Sequence, residues 1–280
     1  RIKLVTILAL CCVAGSAFAT PQIQHWQAPS GAQVYFVENH DLPMLDVAVN
    51  FAAGSARDAA DKIGVATLTH GLLDAGSQGL SEDAIGRGMA DVGAQLGGSL
   101  DADRASISLR TLSSAAERDT ALDIVARVLQ APLFPEDILA RNKASLIAGL
   151  KEAETKPEHL SEKAFGKAVF GNHPYGWRAE VADIEKIQRV DLEVFYRAHY
   201  NAKAAVVALM GDVTRQQAEA IAQHLTANLP QGGNVAPLPE VVAKISASEQ
   251  RFAQPASQSH ILIGAPGIAI LDFEAASPLH

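Results

Sequence analysis

The chain has 280 residues, which is enough for one large domain or two smaller ones. With 48% hydrophobic and 19% charged residues, its composition is that of a soluble globular protein that can bury a core. The formal net charge of −8, with no cluster of Lys and Arg, argues against nucleic acid or another polyanion as a partner.

The first segment of the chain is typical of a secretory signal peptide over residues 1–19. A basic start precedes an apolar core at residues 4–13, and residues 17–19 have the small-x-small pattern of a cleavage site. The alternative is a membrane anchor, but this apolar run is shorter than the roughly 20 residues that cross a bilayer. We therefore expect export to the periplasm without a stable membrane anchor. Cleavage would remove Cys11 and Cys12, the only cysteines, so we expect no disulfide in the exported chain.

The next part of the chain combines predicted strands with two predicted helices. Residues 32–39 and 44–54 have the composition of strands joined by a proline-containing turn. A helix is predicted over residues 63–75, and a second over residues 81–92, which starts at a serine N-cap. Residues 94–113 alternate between apolar and polar side chains and predict a β-hairpin.

The following part is mainly helical. These helices are predicted from apolar residues at helical spacing. Pro at helix starts, and Gly or Thr at helix ends or caps, support the predictions. The helical segments are residues 114–130, 135–154, 157–171, a short pair within 183–200, and an amphipathic helix at 214–230 capped by Thr214. Between the last two, residues 202–212 predict a buried strand.

This order of elements indicates an α+β fold, a layered domain in which a mixed, largely antiparallel sheet packs on helices. We assign residues 22–230 to this first domain. Residues 231–254 are rich in Gly, Pro, Val and Ser without helical periodicity, and we interpret them as a linker. Residues 255–280 then contain a fresh strand. Because an isolated strand cannot bury its faces, it indicates either the start of a truncated second, similar domain or a strand that ends on the first.

The predicted helix in the segment GVATLTHGLLDAG, residues 64–76, carries polar residues on one side. Thr67, His70, Gly71 and Asp74 occur at positions i, i+3, i+4 and i+7, so they share a helical face opposite the leucines. Two side chains four residues apart on a helix can bind one metal ion, and a neighbouring carboxylate can take a proton from metal-bound water.

Four stretches of the sequence, in this order, resemble the insulinase/pitrilysin family of zinc peptidases, whose motif is His-x-x-Glu-His. They are GSARDAADKIGVATLTHGLLDAGSQGLS, FGNHPYGW, VDLEVFYRAHYNAKAAVVALMGDV and SQSHILIGAPGI. In the family these correspond to the metal helix with the turn after it, a loop, the end of the first domain, and the first strand of the second. The resemblance covers residues 22–268.

The resemblance implies that the family's catalytic groups are missing from this chain. Thr67 stands at the first histidine of the motif, His70 at the catalytic glutamate and Gly71 at the second histidine. The third ligand of the family, a glutamate, would fall within residues 146–150, which contain no acidic residue. Since catalytic zinc needs about three protein ligands, we expect no zinc, no other cofactor and no catalytic residue. His70 and Asp74 remain weak candidates for a different metal pair, and otherwise His70 is a hydrogen-bonded surface histidine.

The resemblance also implies a peptide-binding strand, because the family pairs extended substrates with an exposed edge strand beside the metal helix. Two consecutive glycines in this segment permit close approach of another backbone. The candidate peptide-binding residues are Ala94, Gln95, Leu96, Gly97, Gly98 and Ser99.

The sequence leaves three functional hypotheses. The first is a non-catalytic subunit that encloses peptides in a chamber together with a homologous zinc-bearing catalytic subunit, as a heterodimer. The second is a peptide-binding or scaffold protein of the cell envelope that has no enzyme partner. The third is an active zinc metalloendopeptidase with atypical ligands. No phosphate-binding loop or Gly-x-Ser-x-Gly motif points to another enzyme class.

Overall fold

The computed structural model of the protein describes residues 22–233, 235–242, 246–253 and 258–265. Its strands are β1 (Gln24–Gln27), β2 (Gln33–Glu38), β3 (Met44–Phe51), β4 (Gly76–Ser77), β5 (Leu80–Ser81), β6 (Gln95–Leu100), β7 (Ala105–Leu112) and β8 (Val206–Gly211). Within the described residues the α-helices are α1 (Val65–Gly71), α2 (Glu82–Asp91), α3 (Ala115–Gln130), α4 (Glu136–Ala153), α5 (Pro157–Phe170), α6 (Val181–Lys186), α7 (Arg189–His199) and α8 (Arg215–Thr226).

Six of the strands form one sheet in the order β1-β2-β8-β3-β7-β6, and β4 and β5 form a separate small ribbon. The β2–β8 pair is parallel, whereas the other pairs in the sheet are antiparallel. The predicted α+β class with a mixed, largely antiparallel sheet is therefore confirmed. The sheet ends at β6 on one side, which places that strand at an edge.

Among the described residues, one face of the sheet packs on helices and the other is open. On β3, Leu45, Val47, Val49 and Phe51 are buried while the residues between them are partly exposed. This alternation is typical of an antiparallel sheet with one solvated face. Side chains from α3, α7 and α8 join the buried face to complete the core. The open face holds a shallow concavity of about 790 Å³ lined by residues of β2, β3, β6, β7 and β8.

The structure corrects the predicted extent of the helix at residues 63–75, because α1 ends at Gly71. After this glycine, tighter hydrogen bonds replace the helical ones: the Leu72 N–H donates to the Thr69 carbonyl and the Leu73 N–H to the His70 carbonyl. Glycine has one of the lowest helix propensities, so the helix ends where its intrinsic stability is least. The chain then turns through buried Leu72, Leu73 and Ala75 into β4.

The prediction of a fully buried strand at residues 202–212 is also wrong in part. In β8, Val207 and Leu209 are buried, but Val206 and Met210 are 36% and 48% exposed on the open face. β8 lies in the middle of the sheet and is apolar on both sides. The sequence therefore looks like a doubly buried strand, although helices cover only one face of the sheet.

The carboxy-terminal strand expected at residues 255–280 is not formed at residues 258–265. Within the described chain this segment pairs with no strand, and Ile261 and Ile263 are 77% and 91% exposed. Residues 255–257 and 266–280 lie outside the described residues, as do residues 1–19 with the expected signal peptide. In the part of the chain that the structure describes, no helix is both long and apolar enough to cross a membrane.

Candidate functional site

A buried carboxylate determines where α1 begins. Asp58 Oδ2 accepts the Gly64 N–H at 2.6 Å, and Oδ1 accepts the Ala66 N–H at 2.8 Å. Gly64 has φ of +103°, and a Cβ added there would lie 2.5 Å from Ile184 Cδ1. Only glycine adopts that conformation without strain, so the carboxylate takes the role of the missing N-cap side chain. Burial raises the pKa of Asp58 to about 6, although the two backbone hydrogen bonds act in the opposite direction.

The predicted polar face of α1 is formed by three of the four expected residues. Thr67 and Gly71 are exposed and His70 is half-buried, whereas Val65, Ala66, Leu68 and Thr69 are buried. Asp74 is exposed but follows the end of the helix, so the helical face expected for His70 and Asp74 together is not formed. Neighbouring atoms desolvate the Asp74 carboxyl and raise its pKa.

The imidazole of His70 is directed onto the β6–β7 hairpin. Its Nε2 donates a hydrogen bond to the Ser106 carbonyl at 3.0 Å. The ring lies over Gly98 in β6, where an added Cβ would come within 2.3 Å of the Ser106 carbonyl oxygen and 3.0 Å of His70 Nε2. Because Nε2 carries the proton that it donates, only Nδ1 has a lone pair left for a metal ion.

The zinc ion of the resembled family does not fit these residues. A threonine hydroxyl is a poor zinc ligand and Gly71 has no side chain. Residues 146–150 of α4 are apolar, and Leu146, Ile147 and Leu150 pack against the core. Across the described residues, no group of three His, Cys, Asp or Glu side chains could hold a metal ion. We therefore derive no chemical step through zinc.

β6, which contains five of the six candidate peptide-binding residues, is the edge strand that the resemblance implied. Asp101 at the hairpin turn donates its N–H to the Arg104 carbonyl, so this pair is hydrogen-bonded. Bonded and non-bonded pairs alternate along an antiparallel ladder. Ser99, Gly97 and Gln95 therefore bond to β7, and the backbone groups of Leu96, Gly98 and Leu100 point outward. In the described structure no strand occupies that outer side. Ala94 precedes the strand.

The turn of the β6–β7 hairpin is anchored to the loop before α1. Gly54, Ser55 and Ala56 donate their N–H groups to the carbonyls of residues 103, 101 and 102, at 3.2, 2.9 and 2.8 Å. A Cβ at Gly54 would lie 2.3 Å from the Ala102 carbonyl oxygen, so only glycine allows this approach. The anchoring holds one end of β6 beside α1.

A tyrosine holds the same turn from the other side. The Tyr175 hydroxyl donates to Asp103 Oδ1 at 2.6 Å, and this bond raises the pKa of Tyr175 to about 12. Tyr175 packs on Phe170 and His173 with ring-centre distances of 5.7 and 4.6 Å. His173 is structural, since Nδ1 accepts the Tyr175 N–H and Nε2 donates to the Pro239 carbonyl.

Two contacts of this site were not predicted from the sequence: the capping of α1 by Asp58 and the hydrogen bond from His70 to Ser106. Asp58 lies six positions before the residue it caps, so no adjacent N-cap pattern marks it. The contact between His70 and Ser106 joins residues 36 positions apart and has no local signal. The double glycine at Gly97 and Gly98 was the available signal for close approach, and Gly98 is where the His70 ring passes.

Comparison with known proteins agrees with this architecture. The family described as "Insulinase (Peptidase family M16)" matches residues 34–180, and the family described as "Peptidase M16 inactive domain" matches residues 186–280. A Helicobacter pylori protein named "Non-peptidase homolog YmxG" is 26% identical over 256 residues, which is 90% of this chain and 57% of that protein. A probable mitochondrial-processing peptidase subunit beta of Arabidopsis thaliana is 23% identical over 204 residues, which is 71% of this chain and 38% of that protein.

Solved structures show the same fold. The peptidase M16 inactive domain from Pseudomonas fluorescens superposes with a TM-score of 0.77 at 37% identity, covering 79% of this chain and 54% of that one. The periplasmic protease PqqL from Escherichia coli has a TM-score of 0.70 at 13% identity, over 80% of this chain and 26% of its own. The chain spans about half the length of the Helicobacter pylori and Pseudomonas fluorescens relatives. The predicted resemblance is confirmed: the chain belongs to the insulinase family, peptidase family M16, as a homologue without the His-x-x-Glu-His motif.

Proposed function

We propose that this protein is a non-catalytic M16 subunit that binds extended peptides along the outer side of β6. The observation that carries the proposal is the combination of an anchored edge strand, whose outer side no strand of the described structure occupies, with a motif helix that lacks the metal ligands. A free strand edge provides backbone donors and acceptors every second residue, which is what β-augmentation requires. The outward groups of Leu96, Gly98 and Leu100 supply them here.

The open face of the sheet supports a further part of the proposal, namely that this subunit forms one wall of a peptide-enclosing chamber with a zinc-bearing homologous partner. The concavity on this face extends from Tyr35 on β2 to Gly97 on β6. Its charged lining residues are Asp46 and Arg110, which pair with each other through Arg110 Nε and Asp46 Oδ1 at 2.6 Å. A largely uncharged concave wall next to a strand edge suits an unfolded peptide of mixed sequence.

The test of peptide binding uses a short fluorescent extended peptide and two N-methylated versions of it. One version carries methyl groups on alternate amides, and the other carries them on the remaining amides. Because only alternate amides of an added strand face β6, one version should lose binding and the other should keep it. Fluorescence anisotropy measures the affinities. Equal binding of all three peptides, or none by the unmodified peptide, would contradict strand pairing.

The test of the subunit role uses co-expression with a zinc-bearing family member from the same genome. We expect the two proteins to co-elute in size-exclusion chromatography and the pair to cleave a quenched-fluorescence peptide faster than the zinc-bearing protein alone. Full activity of the zinc-bearing protein without co-elution would refute the chamber. Peptide binding combined with a failure to co-elute with the zinc-bearing protein would instead support an envelope peptide-binding protein. Chelator-sensitive cleavage by this chain alone would support an active peptidase with atypical ligands.

We also propose that the protein acts in the periplasm, on the strength of the signal-like segment at residues 1–19. Cell fractionation of the native host, with an antibody against the domain at residues 22–230, tests this. Detection in the periplasmic fraction is expected, and exclusive detection in the cytoplasm would refute it.

A further inference from the structure

The bond between His70 and the hairpin spans two parts of the structure that are far apart in sequence. His70 lies on α1, whereas its acceptor, the Ser106 carbonyl, lies on β7. His70 occupies the motif position where the family has its catalytic glutamate, so the side chain that replaced the base now makes a structural contact with the strand pair that carries the proposed peptide edge.

The contact acts at the weakest part of β6. Gly97 and Gly98 have no side chains to pack, and glycine in a strand interior costs more backbone entropy than other residues. β6 also has a single strand neighbour in the described sheet, β7, so no backbone pairing holds its outer side there. The His70 ring lies directly over Gly98, and its hydrogen bond restrains Ser106, the residue paired with Ser99.

An edge strand binds a peptide well only when it is already extended. If β6 frays, the binding free energy must first cover the entropy of ordering it, which lowers the affinity. The hairpin turn is anchored to Gly54–Ala56, and Tyr175 holds it as well. His70 supplies a restraint further along the strand, beside Gly98, which is one of the three residues whose outward backbone groups would pair with the peptide.

We propose that His70 is a positioning residue that holds β6 in the extended, peptide-accepting conformation through its hydrogen bond to Ser106 across Gly98. This inference rests on the proposed function for the identity of the ligand, but the restraint itself can be measured without any peptide. It also assigns a role to Gly98, since any side chain there would separate the imidazole from the Ser106 carbonyl.

The experiment compares wild type with His70→Ala, His70→Gln, Gly98→Ala and a control, His224→Ala. His224 is a surface histidine on α8 that pairs with Asp123 through its Nε2 at 2.8 Å and is remote in sequence from the hairpin. Hydrogen exchange of the Gly97 and Ser99 amides, which bond to β7, reports the order of β6. Anisotropy titration with the unmodified peptide reports affinity, and thermal denaturation reports global stability.

We expect faster exchange at Gly97 and Ser99 in His70→Ala and Gly98→Ala, with peptide affinity lower by about 3- to 10-fold, as expected for the loss of one hydrogen bond. His70→Gln should restore both properties because its amide can donate as Nε2 does, and His224→Ala should change neither. If either His70→Ala or Gly98→Ala fails to fold, the exchange rates and peptide affinity of the other variant test the inference.

Unchanged exchange of the Gly97 and Ser99 amides in folded His70→Ala or Gly98→Ala would overturn the inference. A loss of peptide affinity that parallels a loss of thermal stability, and that His70→Gln does not restore, would also overturn it. If wild type binds no peptide, the proposed function fails. In that case faster exchange in His70→Ala would still show that His70 restrains β6, so the two failures are distinguishable.

Discussion

At the scale of single residues, helix starts show what a sequence can and cannot predict. Ser81 and Thr214 were predicted as N-caps, and their side chains accept the N–H groups of Ala84 and Gln217. These caps lie next to the helices that they start, so the local pattern is sufficient. Asp58 caps α1 from across a loop. Its role depends on how that loop folds back and could not be predicted from neighbouring residues.

The buried carboxylate of Asp58 should make stability depend on pH. Its pKa in the folded protein is about 6, above the usual value of 3.8. The folded state therefore binds the proton more tightly than the unfolded state does. Unfolding free energy should fall as pH rises between about 4 and 6, by up to about 3 kcal/mol from this group. Urea denaturation at a series of pH values measures the change.

Asp58→Asn serves as the control for that pH dependence, because the amide has nearly the same shape but does not titrate. Its oxygen can still accept one of the two backbone N–H groups, so α1 should form. The part of the decrease in unfolding free energy with pH that comes from Asp58 should therefore disappear in this variant. Parallel pH profiles for wild type and Asp58→Asn would contradict the assignment.

His40 should change stability in the same sense as Asp58, but in a higher pH range, because its pKa is raised from that of an ordinary histidine. Its Nδ1 donates to Asp212 at 2.6 Å and its Nε2 to Glu38 at 3.0 Å, so both carboxylates favour the imidazolium and raise its pKa. Its stabilising contribution is complete below the pKa of an unfolded histidine and is lost as pH rises through the raised value. In a histidine NMR titration, Asp212→Asn should lower the pKa of His40 more than Glu38→Gln does. Equal, or no, effects of the two variants would contradict this geometry.

At the scale of secondary-structure elements, the two terminal glycines of α1 have opposite roles. Gly64 has φ of +103° and its added Cβ would meet Ile184, whereas an added Cβ at Gly71 meets nothing within 4 Å. We expect Gly64→Ala to lower the unfolding free energy by about 1–3 kcal/mol through backbone strain. Gly71→Ala should raise it by about 0.5–1 kcal/mol through better helix propensity.

Urea denaturation measures the unfolding free energies of Gly64→Ala, Gly71→Ala and wild type. Each glycine variant serves as the control for the other. A loss of stability in Gly71→Ala would mean that the motif face of α1 is more tightly packed than the structure shows. A neutral Gly64→Ala would show that Asp58 can cap the helix from another backbone conformation.

Periodicity predicted most helices and strands but not their arrangement. On α3, for example, apolar residues at helical spacing predict the helix at residues 114–130, and Leu122, Val125, Ala126 and Leu129 are buried. The insertion of β8 between β2 and β3 could not be derived in this way. It joins strands that are more than 150 residues apart, and alternation of side chains determines which face is buried but not which strand is the neighbour.

At the scale of the whole molecule, the sequence indicates where the elements of the candidate site lie but not the contacts that join them. The edge position of β6 and the exposure of Thr67 and Gly71 agree with the resemblance. The contacts that hold these parts together, from Asp58 to α1 and from His70 to the hairpin, are tertiary. They depend on side chains that come together only in the folded chain, so they cannot be predicted from composition or residue spacing.

Tertiary contacts of this kind also hold residues 235–242. Arg57 Nη1 donates to the Ala236 carbonyl, and His173 Nε2 donates to the Pro239 carbonyl at 2.8 Å. Residues 235–242 form no helix or strand, so these side-chain bonds replace the backbone pairing that would otherwise hold such a segment. Arg57 follows the residues that bond to the hairpin turn, and His173 contacts Tyr175, which bonds to the same turn.

We therefore expect Arg57→Ala and His173→Ala to release this segment without unfolding the domain. A protease of broad specificity should cut within residues 235–242 faster in either variant, because cleavage requires a segment that can leave the surface. His25→Ala is the control, since His25 stacks on Tyr35 and hydrogen-bonds to Gln33 within the β1–β2 pair. Mass spectrometry locates the cuts and circular dichroism verifies the fold. Equal cleavage rates in all four proteins would mean that these two hydrogen bonds do not hold the segment on the domain.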